Sequence, residues 1–217
     1  IGLSKSALPG AGLLAIPLLA EVAIGRGIAG TMLPMLLVAD VFVVFWYGRH
    51  SRYDVLPPLI APVAAGFVAG AAFFIAIGSA NRILEVTLGV IVGALVILQL
   101  YRTIRSSPPV IETPMVTRAT GLVGGFTTFV ANAAGPVLNT YFLALGLSKN
   151  ELIGSSAWFY FMVNAAKIPL YIGLMWFTSG GAFFTAESLL YDAVLSPLVV
   201  VGAFGGRYLL TVMSQHL

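Results

Sequence analysis

Long apolar runs, separated by only a few polar residues each, constrain this chain more than any other feature. Four runs, about Ile28–Gly48, Val55–Ile77, Ile83–Ile104 and Leu152–Phe177, are long enough to cross hydrocarbon, which takes roughly 20 helical residues. Leu189–Met213 makes a fifth, with Asp192 and Arg207 near its ends. The gaps are Arg49-His50-Ser51-Arg52, Gly78-Ser79-Ala80-Asn81-Arg82, Arg105 to Arg118, and the Gly-rich Thr178–Glu187. None can hold a soluble domain. The chain is 59% hydrophobic and 9% charged, where a soluble domain carries about 25% charged residues. So much apolar surface needs lipid as its sink. The expected fold is an all-α polytopic membrane protein forming one membrane domain.

The same residues exclude several functions. There is no cysteine, so disulfides, thiolate metal sites and Fe–S clusters drop out. The two histidines, His50 and His216, fall near segment ends, and neither a metal site nor a cofactor is expected. The net charge is +3, and the basic residues sit in the gaps between apolar runs. That placement speaks of membrane orientation and not of a nucleic-acid partner. No Walker A loop is present, so ATP drive within the chain is not expected. An intramembrane enzyme would need a nucleophile–base pair or paired carboxylates at depth, and Asp40 is the only deep carboxylate. A non-transporting scaffold or assembly subunit is the remaining alternative to a transporter. Ile1–Ala20 lacks the basic start of a signal peptide and reads as the inside of a membrane element.

Two apolar runs are interrupted. Ala119–Leu147 would be about 43 Å long as a straight helix, longer than a ~30 Å hydrocarbon core. Its centre reads Ala131-Asn132-Ala133-Ala134-Gly135-Pro136, and the Gly-Pro pair breaks a helix. The chain start has the same texture, Leu8-Pro9-Gly10-Ala11-Gly12 followed by Leu13 to Leu19. Sliding Ala7 onto Ala131 also puts Leu14 on Leu138, Leu19 on Leu143, Gly30 on Gly154, Asp40 on Asn164 and Tyr47 on Tyr171. A slightly longer slide puts Gly66 and Gly70 on Gly202 and Gly206, pairs of small residues that let helices approach closely. The expected organisation is two repeats, residues 1–110 and 111–217, each a broken element followed by transmembrane helices. On this alignment one C-terminal helix of the second repeat is expected beyond Leu217.

Charge gives an orientation but not the path of the broken elements. If both are re-entrant, Lys5, Arg26 and Arg82 share one side, and Arg49, Arg52, Arg102, Arg105, Arg118 and Lys149 the other. If both cross, Lys5 and Lys149 exchange sides. Either way the positive-inside rule puts residues 49–52 and 102–118 in the cytoplasm, as in an inner-membrane protein. Re-entrant elements make the halves inverted, a common transporter design. The half-helix lengths favour re-entrant or discontinuous elements.

The assembled motifs resemble the TauE/SafE family of sulfite and organosulfonate exporters. The carriers are Lys5 through Leu19; Gly124-Gly125-Phe126 through Gly146, with Gly135-Pro136 and Tyr141; and Asn164-Ala165-Ala166-Lys167-Ile168-Pro169-Leu170-Tyr171. The first motif departs from the family's denser glycine run, with Ala7-Leu8-Pro9-Gly10-Ala11. The resemblance implies a secondary transporter moving a small sulfur-containing anion outward. Its partners would be that anion, a coupling proton or ion, and the bilayer. Oligomeric state is left open.

Polar groups inside the apolar runs need a reason, because a charge at the bilayer centre costs several kcal/mol. Lys167 either supplies positive charge to an anion or is a structural, paired lysine. Asp40 either carries a coupling proton or balances Lys167. The helix ends following Gly10–Gly12 and Gly135–Pro136 would offer free N–H groups and partial positive charge to an oxyanion. Asn132, Asn139, Thr127 and Thr128 add neutral donors, or cap and cross-link helices. Ser155 and Ser156, with Thr31 in the other repeat, fit close helix packing. Lys5 fits an interface position better than an anion path. Tyr47, Tyr171, Trp46 and Trp176 read as aromatic-belt residues. The expected substrate-binding set is Gly10, Gly12, Asn132, Gly135, Pro136, Asn139 and Lys167.

Overall fold

A computed structural model describes residues 1–6, 15–20, 26–105, 113–178 and 181–213. These residues are helical with no strand among them. The helices are α1 (Gly2–Ser6), α2 (Ala15–Ala20), α3 (Gly27–Tyr47), α4 (Pro57–Ile77), α5 (Asn81–Arg105), α6 (Pro114–Ala131), α7 (Gly135–Ala144), α8 (Lys149–Phe177) and α9 (Ala186–Met213). The expected spans begin and end within a few residues of α3, α4, α5, α8 and α9. Four stretches among the described residues are long and apolar enough to cross a membrane: Gly27–His50, Pro57–Ile77, Asn81–Tyr101 and Ala186–Leu209. The α8 helix, although longer, is not among them. It carries buried Ser155, Ser156, Asn164 and Lys167.

The outer helices turn apolar side chains outward. The α5 helix buries Leu84, Leu88, Ile91 and Leu95 while exposing Ile83, Val86, Val90, Ile97, Leu100 and Ile104. Its inward residues follow helical spacing, and its outward face is fit only for lipid. On α9, Leu190, Val194, Leu198 and Val201 are exposed in the same way. The chain is therefore a multi-pass helical membrane protein.

Local chemistry sets the helix starts. Thr113 Oγ1 accepts from the Val116 N–H at 3.2 Å and Pro114 follows it, an N-cap and an N1 proline. At α8, Ser148 and Glu151 form a capping box. Hydrogen bonds from the Ser148 hydroxyl, then from its backbone N–H, hold the Glu151 carboxyl below its ordinary range.

The directions of the helices follow from their contacts. The α3 and α8 helices are antiparallel. Gly154 sits against the backbone of Tyr47 and Ser51, Asp40 meets Asn164, and Arg26 meets Thr178. The α4 and α6 helices are parallel, since Gly121 packs on Pro62, Gly125 on Val63 and Gly66, and Phe129 on Gly70. The α7 helix folds back along α6: Gly124 packs on Leu138, and Thr117 Oγ1 donates to Tyr141 Oη at 3.4 Å. Gly146, at φ 66°, completes the turn into α8.

These directions gather Arg49, Arg52, Arg102, Arg105, Arg118, Lys149 and Arg207 toward one end of the bundle, called here the basic end. Arg26 and Arg82 lie at the other. Lys149 thus shares an end with Arg52. Lys5 is at neither end. It pairs with Asp40, well inside α3, which corrects the expectation of an interface lysine. A lone lysine at depth is held there by a carboxylate.

Arg26 is among the largest buried side chains of the described residues. Its guanidinium donates to Thr178 Oγ1 and to the carbonyls of Phe74 and Gly78, the last at 3.2 Å. It lies between the rings of Phe74 and Phe183. A cation there meets the carbonyl end of α4, where helix dipoles favour positive charge. Arg26 so ties the ends of α4 and α8 to the segment that follows α8.

Candidate functional site

The break after α6 organises the interior. Asn132 adopts the left-handed conformation at φ 53°, which asparagine tolerates better than most residues. Its N–H and that of Ala133 turn back to Thr128 and Thr127 carbonyls at 3.0 and 3.3 Å, closing α6. Two residues later Gly135 and Pro136 start α7. A Cβ at Gly135 would meet nothing within 4 Å, so there is open space beside the start of α7. The α6 helix, with 18 residues, is about 27 Å long. Its tip therefore reaches past the bundle middle: Asn132 Nδ2 donates to Ala29 O at 2.8 Å, near the start of α3.

One stripe of α8 faces this break. Tyr160, Asn164, Lys167 and Tyr171 recur at helical spacing on one side. Lys167, with 0% exposure, donates to Asn132 Oδ1 at 2.5 Å and to the carbonyl and hydroxyl oxygens of Thr128, both at 3.2 Å. Tyr171 Oη donates to Phe129 O at 2.5 Å. Tyr171 thus satisfies a carbonyl at the end of α6, and Lys167 adds a second donor to the Thr128 carbonyl that the Asn132 N–H already closes. Tyr171 is also fully buried and stacks on Phe183, so it is not an aromatic-belt residue. The belt position expected for it required a helix end facing lipid, and the segment after α8 covers that end instead. Trp176, at 83% exposure, does face outward.

Next to Lys167 along the stripe lies a second charged group. Asn164 Nδ2 donates to Asp40 Oδ2 at 2.6 Å, and Lys5 Nζ lies 2.8 Å from Asp40 Oδ1. Lys5 also sits over the Tyr160 ring, 4.4 Å from its centre. Tyr160 Oη donates to Asn139 Oδ1 at 3.0 Å and approaches Gly135 O at 3.5 Å. Asp40 therefore balances Lys5 directly, and Lys167 takes its direct partners from neutral oxygens.

The expected site residues are accordingly divided. Lys167, Asn132 and Thr128 form one hydrogen-bonded set; Asp40 with Lys5 and Asn164, and Asn139 and Gly135 with Tyr160, form a second set beside it along the α8 stripe. Pro136 shapes the start of α7. Gly10 and Gly12 lie outside the described residues. Thr127 Oγ1 bonds within α6, to Val123 and Gly124 carbonyls. Ser155 Oγ accepts from the Arg52 N–H at 2.9 Å, at the basic end, and Ser156 and Thr31 are buried. Sequence reasoning missed Tyr160, whose spacing from Asn164 and Lys167 was the available signal, and it missed Lys5 as a site residue. It also used Arg26 only for charge counting.

Among the described residues the site holds two lysines against one carboxylate. With all three ionised it carries one excess positive charge in a region of low dielectric, beside the open space at Gly135. That arrangement suits a small oxyanion. Among the described residues no group of three or more metal-ligating side chains occurs.

Comparison with curated proteins and with solved structures gives no match. A family model does match, over residues 1–217: sulfite exporter TauE/SafE. Because it spans the whole chain, the protein belongs to the TauE/SafE sulfite exporter family, a family of membrane transporters and not of enzymes.

Proposed function

We propose that the chain is a secondary transporter exporting a small sulfur oxyanion, sulfite or an organosulfonate, through a site at the α6–α7 break. The observation that carries this reading is the buried cluster of Lys5 and Lys167 with, among the described residues, a single carboxylate, Asp40, next to the open space at Gly135. Lys167, Asn132, Gly135 and Asn139 form the anion-facing wall, with Pro136 fixing the start of α7 and Asp40 carrying the coupling proton. By sequence alone, Gly10 and Gly12 are the candidates that the first half adds to this set.

The halves read as inverted repeats, residues 1–110 and 111–217, each with a re-entrant broken element. Three features support this. The matched helices α3 and α8 are antiparallel, and their matched residues Asp40 and Asn164 meet. Gly30 packs on the segment after α8, just as its match Gly154 packs on the segment after α3. Gly66 of α4 packs on Phe126, and its match Gly202 of α9 packs on Gly2, which aligns with Phe126. Exchanged contacts of this kind are what a two-fold axis in the membrane plane produces. The basic end faces the cytoplasm of an inner membrane.

The competing reading makes Lys167 a structural cap on α6, favoured by its bonds to Thr128 and Asn132. Proteoliposome flux with sulfite, thiosulfate, sulfoacetate, sulfate and a carboxylate tests the function. Flux of sulfite or a sulfonate is expected; absence of flux of every anion from folded protein refutes it. Lys167→Ala separates the two roles, since a cap lowers the melting temperature but leaves the ligand-induced shift intact. Cysteine labelling at Lys149 from the same side as Arg52 is the outcome expected of a re-entrant element.

A further inference from the structure

The Lys5–Asp40 pair lies within the anion site, and its geometry is that of an occupied binding position. Asp40 Oδ2 accepts from Asn164 Nδ2 at 2.6 Å, and Oδ1 has Lys5 Nζ at 2.8 Å as an ion pair but no hydrogen-bond partner. Asp40 is 1% exposed, whereas the Lys5 side chain keeps 16%. The cation is the partner that an arriving ligand can reach. Lys5 also rides on α1, a helix of 5 residues, so its tether is short and local.

The matched position across the two halves is Asn164, an amide of the same shape as Asp40. An asparagine at 40 would keep the packing and a hydrogen bond to Asn164. The carboxylate adds only a charge and a place for a proton. As a structural device a buried ion pair is a poor choice, because desolvation offsets its attraction. Few other groups act on Asp40. Lys5 faces it from α1; Tyr160, Asn164 and Lys167 belong to α8. The α2 helix carries no titratable residue, and Arg118 of α6 lies at the basic end. On α9, Arg207 covers the Trp46 ring at 5.0 Å, and Asp192 lies two turns before Val199, the residue that packs on Ala39.

We propose that Asp40 is the resident anion of the site: substrate takes Lys5 from it, and Asp40 gains a proton as it is displaced, so each anion binds together with one proton. This rests on the anion-site reading above. The balance is simple. One proton from the aqueous phase adds to a carboxylate oxygen of Asp40 and leaves a neutral acid. Lys5 keeps its own proton throughout. One negative charge enters as substrate and one positive charge enters as the proton, so the buried cluster keeps its net charge.

Linkage fixes the sign. If the complex holds one proton more than the free protein, anion affinity rises as pH falls, by up to about tenfold per pH unit. The experiment uses the full chain in lipid nanodiscs with ethanesulfonate, whose charge is constant between about pH 5 and 9. Calorimetry in weakly and strongly protonating buffers counts the protons. One proton taken up per anion bound, with affinity falling as pH rises, is the expected result. Binding with no proton uptake and a pH-independent affinity overturns the proposal on the wild-type protein alone, whatever the variants do. Asp40→Asn should bind without proton uptake, independently of pH, and more tightly than wild type in alkaline solution. Proton uptake that persists in Asp40→Asn removes Asp40 from the role. Absence of ethanesulfonate and sulfite binding at every pH instead refutes the anion site, and the proposal with it.

Discussion

Gly66→Ala tests whether the α6–α7 hairpin is positioned by its contact with α4. A Cβ at Gly66 would stand 2.6 Å from Phe126 N and 2.8 Å from Gly125 Cα. Carbon atoms prefer about 3.5–4.0 Å, so the shortfall is about 1 Å. The obstructing atoms are backbone, and no side chain can rotate away. The two helices must separate along their length, at a cost of about 1–3 kcal/mol. Gly125 makes the same contact from the other side, with a Cβ there 2.5 Å from Val63 O and 2.9 Å from Val63 Cα. Once the helices part, the second methyl meets less resistance, so Gly66→Ala and Gly125→Ala together should cost clearly less than their sum. Because α6 carries Thr128 and Asn132, its displacement also misplaces the partners of Lys167, and sulfonate affinity should fall. Gly89→Ala on α5 is the control, since a Cβ there meets nothing within 4 Å. Thermal unfolding in detergent reads the stability, and the ligand-induced shift reads the site. Equal melting of Gly66→Ala and Gly89→Ala, or strict additivity of the two α4–α6 substitutions, would refute the reasoning.

Other substitutions probe single contacts. Arg26→Met removes a charged donor from the Phe74 and Gly78 carbonyls and from Thr178; hydrogen bonds to charged groups contribute about 1.5–3 kcal/mol each, so a large loss of melting temperature is expected. Arg26→Lys should recover little of it, because a single ammonium cannot reproduce the fork. Asn132→Gly and Asn132→Ala both lose the bonds to Lys167 and Ala29. Only alanine adds left-handed strain, so in chemical denaturation it should be the less stable of the two by about 1 kcal/mol. Asp192 is 3% exposed and neither carboxylate oxygen has a hydrogen-bond partner. Asp192→Leu should therefore raise the melting temperature, by the equivalent of roughly 1–3 kcal/mol, and a fall would show that the carboxylate is being used.

What the sequence made legible was whatever depends on the length of apolar runs and on local backbone chemistry. The α4 helix ends at Ile77 as its apolar run does, and the break at Asn132–Gly135 follows from glycine and proline where a straight helix would outrun the bilayer. Pairing between distant segments was not legible. Nothing local tells Lys5 to meet Asp40 instead of facing a membrane surface, because the contact depends on how α1 crosses α3 and α9. Tyr171 misled for the same reason. It closes an apolar run like a belt residue, and only the return of Phe183 over the helix end buries it. Charge counting left the path of the broken element undecided because either path gave the same imbalance. The Thr117–Tyr141 hydrogen bond lays α7 back along α6, a contact between segments that no charge count supplies.

Among the described residues the glycine contacts made against backbone run between the halves of the chain: α4 seats on α6, and α1 seats on α9. Each half thus contributes a helix whose tightest groove is supplied by the other. A peptide holding only the first half would enter the bilayer with the Gly66 face of α4 bare, and one holding only the second would leave Gly202 equally unfilled. The halves are interlocked and not merely adjacent. The grooves that seat α4 and α1 are therefore complete only once α6 and α9 have been made, although Lys5 of α1 stands near the start of the sequence.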